Sequence, residues 1–479
     1  MSSQNGKYKK LAKNTVVFMV GNFGSKLISF VIVPLYTYVL TTEEYGIIDL
    51  FTTTINLILP FMILGLNEAV LRFLAGKEMK KETVASDCFV VFLLNSLIVW
   101  ALYPLYSGLP ALGEHAFLFT VLLTVMAFNQ VFLQYLRGNG QTVAFAMNGI
   151  IITAVTVLAN LFFLLYLKMG IKGYLLAFII AQLCSAVEII FASKLWRDIR
   201  FKHINKKMLR EMLSYCLPLI PGSLMWWVMN AGDKYMINYF IDASANGIYS
   251  VAHKFPTIIN MFYAVFMQAW QLSAIEEKKS DSSSGFHSNV YRYILAVLAI
   301  VGSGIILVSK PLYLYVMESE FKIAWQSVPL LIIAQVFSCL TGFFGTVYVV
   351  EKKTKKALIT TMCGAIANLA FNLVLIPKFG LIGAAAGTML GYTVAASMRM
   401  LDTKKYINID LKIKKVLPAV AVLLMQTGFL FADLGVWVYI IQVICMAVEL
   451  IIFKAEVSLV FSFSCSFIKN KLFKSKRMG

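Results

Sequence analysis

Wound at about 100° per residue, Thr15, Asn22, Lys26, Ser29 and Thr37 fall in one narrow sector of a helix, with Lys26 near the middle of an apolar run. Three more stripes share that make-up: Asp49, Thr53, Asn56 and Asn67; Ser223, Asn230, Asp233, Lys234 and Asn238; and His253, Thr257, Asn260 and Gln271. A charge at the centre of a bilayer costs about 2.5–3.5 kcal/mol, so one retained within a membrane span is a functional group by default. The chemistry open to these residues is that of a water-filled passage, with Lys26 as its cation. Asp233 and Lys234 admit a part in transport, mutual neutralisation, or the capping of an irregular helix. Arg72 lies off the polar face of its helix near one end, where snorkelling accounts for it. Lys254 is likewise off its own stripe.

The sequence carries no competing catalytic constellation. Gly21-Asn-Phe-Gly-Ser-Lys26 lacks the spacing of a phosphate-binding loop, and the four histidines are scattered with no H-E-x-x-H. The seven cysteines stand singly in apolar surroundings, which points to neither a disulfide framework nor a metal site. The chain is expected to be no enzyme and to hold no metal or cofactor.

The elements that must carry these stripes follow from composition. Of 479 residues, 59% are hydrophobic and 14% charged, against roughly 45–50% and about 25% in soluble domains. The apolar residues run in stretches of about 20, enough to cross about 30 Å of hydrocarbon as helix and unlike the alternating strands of a barrel. Spans are expected near 14–40, 47–74, 84–106, 116–136, 146–167, 173–193, 214–240, 247–273, 290–316, 325–350, 357–377, 381–400, 416–432 and 435–453. The predicted fold is all-α and integral to the membrane, with about 14 transmembrane helices. The first run outlasts a signal-peptide core and is expected to remain as a span.

Lys and Arg alternate between the connections as the positive-inside rule requires. One set holds Lys7 to Lys13, Lys77 to Lys81, Arg137, Lys194 to Arg210, Lys278 to Arg292, Lys352 to Lys356, Arg399 to Lys415 and the tail from Lys454; the other holds only Lys168, Lys172, Lys310, Lys322 and Lys378. Both termini are thereby expected in the cytoplasm. The formal charge of +19 is explained by topology and by contact with anionic lipid headgroups, not by nucleic acid.

An internal repeat organises the spans. Lys168-Met-Gly-Ile-Lys-Gly173 leads into the sixth and Lys378-Phe-Gly-Leu-Ile-Gly383 into the twelfth, each after an Asn-Leu pair, Asn160-Leu161 and Asn372-Leu373. Tyr45-Gly46-Ile47 and Asn246-Gly247-Ile248 open the second and eighth. The predicted organisation is a six-helix bundle over 1–193, a basic cytoplasmic linker over 194–213, a second six-helix bundle over 214–400, and two extra helices with a basic tail over 401–479. Parallel repeats of this kind characterise transporters whose site lies between the halves. Pro34, Pro60, Pro218, Pro221 and Pro256 interrupt spans of both halves, which suits a gating protein.

Leu11-Ala-Lys-Asn-Thr15, Glu44-Tyr-Gly-Ile47, Gly65-Leu-Asn-Glu-Ala-Val-Leu-Arg-Phe73, Asp233-Lys234 and Gly247-Ile-Tyr-Ser-Val-Ala252, in this order, resemble the bacterial oligosaccharide flippases, the polysaccharide-transporter branch of the multidrug, oligosaccharidyl-lipid and polysaccharide exporter superfamily. The resemblance implies two bundles in a V, alternating access, the bacterial cytoplasmic membrane, and a substrate built of an oligosaccharide on undecaprenyl pyrophosphate for O-antigen, capsule or exopolysaccharide. It implies cationic cavity residues for the pyrophosphate, Lys26 and Lys254 by local motif, with Asn22, Ser29, Asn56, Asn230 and Asn260 as cavity amides and hydroxyls. Asp233, Lys234 and Asp49 are the expected ion-coupling residues for an H⁺ or Na⁺ gradient, and Arg72 belongs to the cytoplasmic rim. Partners implied are the lipid-linked oligosaccharide, membrane lipids, and polymerase and chain-length machinery. Two alternatives stand beside this reading: a cation-coupled multidrug exporter of the same fold, disfavoured by Lys26 and scarce deep carboxylates, and a membrane-embedded glycan polymerase or ligase, which typically needs a large external loop.

Overall fold

The computed structural model describes residues 32–75, 79–108, 112–277, 283–432 and 434–458. The stripe through Asn22, Lys26 and Ser29 therefore lies outside the described residues, as does most of the basic tail. The described elements are helices: α1 (Val33–Val39), α2 (Thr42–Met62), α3 (Leu66–Ala75), α4 (Lys81–Ala101), α5 (Ala116–Gly138), α6 (Thr142–Asn160), α7 (Gly170–Ser193), α8 (Lys206–Cys216), α9 (Ile220–Phe240), α10 (Ala243–Ala252), α11 (Lys254–Glu277), α12 (Ser283–Val316), α13 (Val328–Val350), α14 (Thr354–Thr403), α15 (Ile413–Phe431) and α16 (Trp437–Ile452). Ten helical stretches among the described residues are long and apolar enough to cross a membrane, and α16 is a shorter apolar helix.

Local chemistry decides where the long runs break. The run 47–74 is not one helix: Leu64 (φ 50°) and Gly65 (φ 68°) leave the helical region and the Gly65 amide returns to the Pro60 carbonyl at 3.1 Å, which separates α2 from α3. Pro218 and Pro221 stand in the first turns of the pieces after α8, where a missing amide proton costs nothing. The stretch called α14 is two helices meeting at Gly380 (φ 56°, ψ −133°), within the break expected between 377 and 381.

The repeated glycines do equivalent work. Gly170 and Gly380 hold matching places in the two copies and both take positive φ. A Cβ on Gly173 would lie 3.1 Å from the Phe163 carbonyl oxygen, and one on Gly383 would overlap the Leu375 carbonyl. In each copy a glycine lets the entering helix press on the backbone of the helix before it.

The chain divides into two compact units, Met1–Ser250 and Val251–Gly479. In the first, α5 packs against α3, α4 and α7, and α6 pairs with α7. Polar side chains join these helices where lipid offers no hydrogen bonds: Asn129 Nδ2 donates to the Gln182 carbonyl oxygen (2.8 Å), and Asn148 Nδ2 to Glu188 (2.8 Å), while Ser185 Oγ donates to Asn148 Oδ1 (3.0 Å).

In the second unit α13 is the central helix, against α11, α12 and α14. Arg399, 3% exposed, donates to Thr360 and Thr361 hydroxyls and to the Thr341 and Ala357 carbonyls at 2.7–3.1 Å, so α13 and both arms of α14 are tied at one end. The C-terminal pair α15 and α16 packs on α12. Gln426 and Gln442 each donate to the other's backbone carbonyl, at 3.3 and 2.7 Å.

Two carboxylates of this pair behave oppositely. Glu456 accepts from Arg292 (2.9 Å) and Lys415 (2.7 Å), joining the starts of α12 and α15 to the segment after α16. Burial works to raise its pKa, but the bonds from Lys415 and Arg292 prevail and hold it below the ordinary carboxylate range. A depressed folded pKa contributes stability that is present above the unfolded value, near 4.5, and is lost as pH falls through the folded value. The melting temperature in detergent is therefore expected to fall on acidification below about pH 4.5, and less steeply for Glu456→Gln; parallel curves would contradict this. Glu449 is fully buried in α16, and neither of its oxygens has a hydrogen-bond partner among the described residues. Burying an unpaired polar group costs about 1–3 kcal/mol, so Glu449→Leu is expected to raise the melting temperature; a fall would contradict that.

Candidate functional site

The expected coupling residues converge in the first unit. Helix α2 opens with a capping box: the Thr41 hydroxyl accepts from the Glu44 amide (3.2 Å) while the Glu44 carboxylate accepts from the Thr41 amide (3.0 Å). Asp242 caps α10 in a similar way, accepting from the Ala245 amide at 2.7 Å. These caps fix where each helix begins, and so which residues face across: Thr42 meets Ser244 hydroxyl to hydroxyl at 2.6 Å, and Asn246 Nδ2 donates to the Gly46 carbonyl at 3.0 Å. Gly46 and Gly247 cross at backbone contact. A Cβ on Gly46 would overlap the Ala243 carbonyl and one on Gly247 the Thr42 carbonyl. Only glycine fits at either place.

One turn further along α2, Asp49 forms an ion pair with Lys234 of α9, whose Nζ lies 2.9 and 2.8 Å from the two carboxylate oxygens. The side chains are 10% and 13% exposed, so water screens the pair little. Beyond it the seam between α2 and α9 continues with Thr54 and Tyr235, hydroxyl to hydroxyl at 2.5 Å, and with Trp227 Nε1 donating to the Thr53 carbonyl at 3.0 Å. Tyr36, Tyr45 and Tyr174 pack as an aromatic group behind Asp49, and Asn160 of the repeated Asn-Leu pair donates to the Tyr36 hydroxyl at 3.0 Å.

Asp233 and Lys234 do not neutralise one another. The helix turns them apart: Asp233 is fully buried and accepts from the Tyr249 hydroxyl (2.7 Å) and the Lys234 amide (2.9 Å), while Lys234 reaches Asp49. Of the amides expected to line a cavity, Asn56 and Asn230 are exposed on α2 and α9, and Asn230 donates to the Trp226 carbonyl at 2.7 Å. Asn260 is exposed on α11, at whose start Lys254 is half-buried and in no ion pair among the described residues. Arg72 is exposed and stacks on Tyr215 of α8, 4.2 Å from the ring centre. Sequence reasoning missed Thr42, Thr54, Tyr235, Ser244 and Tyr249. Their signal was a hydroxyl within five residues of a charge or glycine already noted.

No group of three metal-ligating side chains occurs among the described residues. Charged, buried and glycine-crossed, the contact is one polar seam shared by α2, α9 and α10.

Comparison with known proteins agrees with this architecture. The chain is 21% identical over 434 residues to the probable low-salt glycan biosynthesis flippase Agl15 of Haloferax volcanii, covering 88% of this chain and 89% of that one. It is 24% identical over 279 residues to the multidrug and toxin extrusion protein 1 of Rattus norvegicus, covering 54% and 48%. Its fold matches the inward closed conformation of the lipid II flippase MurJ with a TM-score of 0.70 at 15% identity, over 94% of this chain and 100% of that chain. The Vibrio cholerae MATE transporter VcmN matches with a TM-score of 0.59 at 16% identity, over 85% and 98%. A family model described as polysaccharide biosynthesis protein covers residues 11–271. The chain belongs to the polysaccharide biosynthesis protein family, on a membrane-transporter fold.

Proposed function

We propose that the chain is a flippase that carries an oligosaccharide on undecaprenyl pyrophosphate from the cytoplasmic to the outer face of the bacterial membrane by alternating access, for surface polysaccharide. The observation that carries this reading is the ion-paired seam of Asp49 and Lys234 beside the Gly46–Gly247 crossing, in a chain of this family. With the basic connections in the cytoplasm, the seam lies at the outer end of its helices, so it closes the exit while the substrate enters from within. The bundles 1–193 and 214–400 supply the two walls, Lys26 and Lys254 meet the pyrophosphate, and Asp49, Asp233 and Lys234 couple the cycle to an H⁺ or Na⁺ gradient. Polymerase and chain-length machinery take the product on the outer face.

Deleting the gene tests this. Undecaprenyl-linked repeat units are expected to accumulate on the cytoplasmic face, and Lys26→Ala to do the same more weakly. No accumulation would overturn the reading, whereas normal transport by Lys26→Ala would remove only the role of that lysine. The similarity to a multidrug and toxin extrusion protein supports a second reading, export of organic cations. Loss of cationic-dye export in the deletion strain, without accumulated glycolipid, would favour it.

A further inference from the structure

A second charged site lies away from the seam, where the segment after α7 folds back on the start of α4. A cavity of about 810 Å³ opens there, lined by Lys80, Thr83, Arg197, Arg200, Lys202 and His203. Its walls are fixed by hydrogen bonds: the Arg200 amide donates to Ser86 Oγ (3.0 Å) and the Asn205 amide to Asp87 (2.9 Å). Two carboxylates also line it. Asp198 is engaged, accepting from Lys81 at 2.9 and 3.1 Å and from the Tyr135 hydroxyl at 2.8 Å. Glu82 alone remains against Lys80, Arg197, Arg200 and Lys202, none of which has a carboxylate partner among the described residues.

The backbone adds to this charge. Helix α4 is 21 residues long and begins at this cavity with Lys80 as its cap residue, which gives no side-chain hydrogen bond. The Thr83 amide turns back to the Lys80 carbonyl at 3.2 Å, while the Lys81 and Glu82 amides meet no acceptor among the described residues and have the positive end of the helix dipole behind them. Such an end takes a phosphate. Just before Arg197 in the chain, Phe191 and Trp196 are 66% and 50% exposed and pack edge to face at 5.3 Å. Exposed aromatics of this kind lie at the headgroup level of a bilayer.

We infer that this cavity binds the phosphate of an anionic phospholipid headgroup from the leaflet it faces. The site lies outside the transport reading given above and does not depend on it. Arg197, Arg200 and Lys202 neutralise the phosphate, the α4 amides bond its oxygens, and Phe191 and Trp196 lie along the acyl chains. The ligand is a structural lipid that pins the linker between bundles to the membrane surface.

The test uses the full chain in nanodiscs of phosphatidylcholine with and without phosphatidylglycerol. Retained phosphatidylglycerol is counted by native mass spectrometry and the melting temperature is followed. A pocket variant, Arg197→Gln with Arg200→Gln and Lys202→Gln, is expected to lose roughly a hundredfold in phosphatidylglycerol affinity and most of the melting-temperature rise. The control, Lys206→Gln with Lys207→Gln and Arg210→Gln on α8, removes equal charge outside the cavity and is expected to retain both. Equal losses in the two variants would overturn the site in favour of diffuse surface attraction. Inorganic phosphate stabilising the wild type in phosphatidylcholine as strongly as phosphatidylglycerol does would overturn the lipid as the ligand. Should the pocket variant melt below the wild type in phosphatidylcholine alone, Lys80→Gln, which leaves the linker untouched, is read in its place with the same two outcomes.

Discussion

Gly46→Ala is expected to weaken closure of the seam at the Gly46–Gly247 crossing by at least about tenfold while leaving the chain folded. The added Cβ meets the Ala243 carbonyl, which is backbone and cannot swing aside, so α2 and α10 must separate. Overpacking of this sort costs about 1–3 kcal/mol. Separation also strains the Thr42–Ser244 and Asn246–Gly46 hydrogen bonds, each worth about 0.5–1.5 kcal/mol. Because only the closed seam bears these costs, the equilibrium between closed and open forms shifts by roughly 10- to 100-fold. Gly247→Ala acts from the other side on the Thr42 carbonyl and is expected to match it. The check is disulfide trapping: cysteines at Thr42 and Ser244 are expected to cross-link readily in the parent and slowly with Gly46→Ala. Equal rates would show that the crossing does not set closure.

Asp49→Asn is expected to have a comparable or larger effect for an electrostatic reason. It leaves the Lys234 ammonium 13% exposed and without its carboxylate, and removing one partner of a buried ion pair costs about 3–5 kcal/mol. Asp233 is turned away from that ammonium, with its carboxylate accepting from the Tyr249 hydroxyl and the Lys234 amide. Exchanging the charges, Asp49→Lys with Lys234→Asp, is expected to recover a large part of the loss, which a role for either residue alone would not allow. The measurement is accessibility of a cysteine at Asn230 to a membrane-impermeant thiol reagent, expected to rise in the single variants and return toward the parent in the exchange. No rise with Asp49→Asn would remove the ion pair from the seam.

Much of the fold could be read in the chain because lipid imposes long apolar helices and basic connections. The equivalence of Gly170 and Gly380, too, is carried by local spacing. The pairing of Asp49 with Lys234 was not readable. Each was visible as a charge on a polar stripe, but which charge faces which depends on how α2 meets α9, and that is fixed by the Gly46–Gly247 crossing. Those two glycines were visible as matching repeats, yet nothing local says that one copy rests on the other. The break at Leu64 was hidden for a similar reason, since a leucine at positive φ carries no turn signal and is held there by the surrounding packing. The basic residues from Lys194 to Arg210 were legible as a topology signal. The cavity they form with α4 rests on Asp198 and Asn205, whose partners lie far back in the sequence.

Translocation itself is the most direct test of the transport reading. Purified protein in proteoliposomes, given undecaprenyl-pyrophosphate oligosaccharide labelled on its glycan in one leaflet, is expected to deliver the label to the other leaflet. Asp49→Asn is expected to fail and the charge exchange to recover. Label moving no faster than in protein-free liposomes, while a cationic dye is carried across, would contradict the proposal.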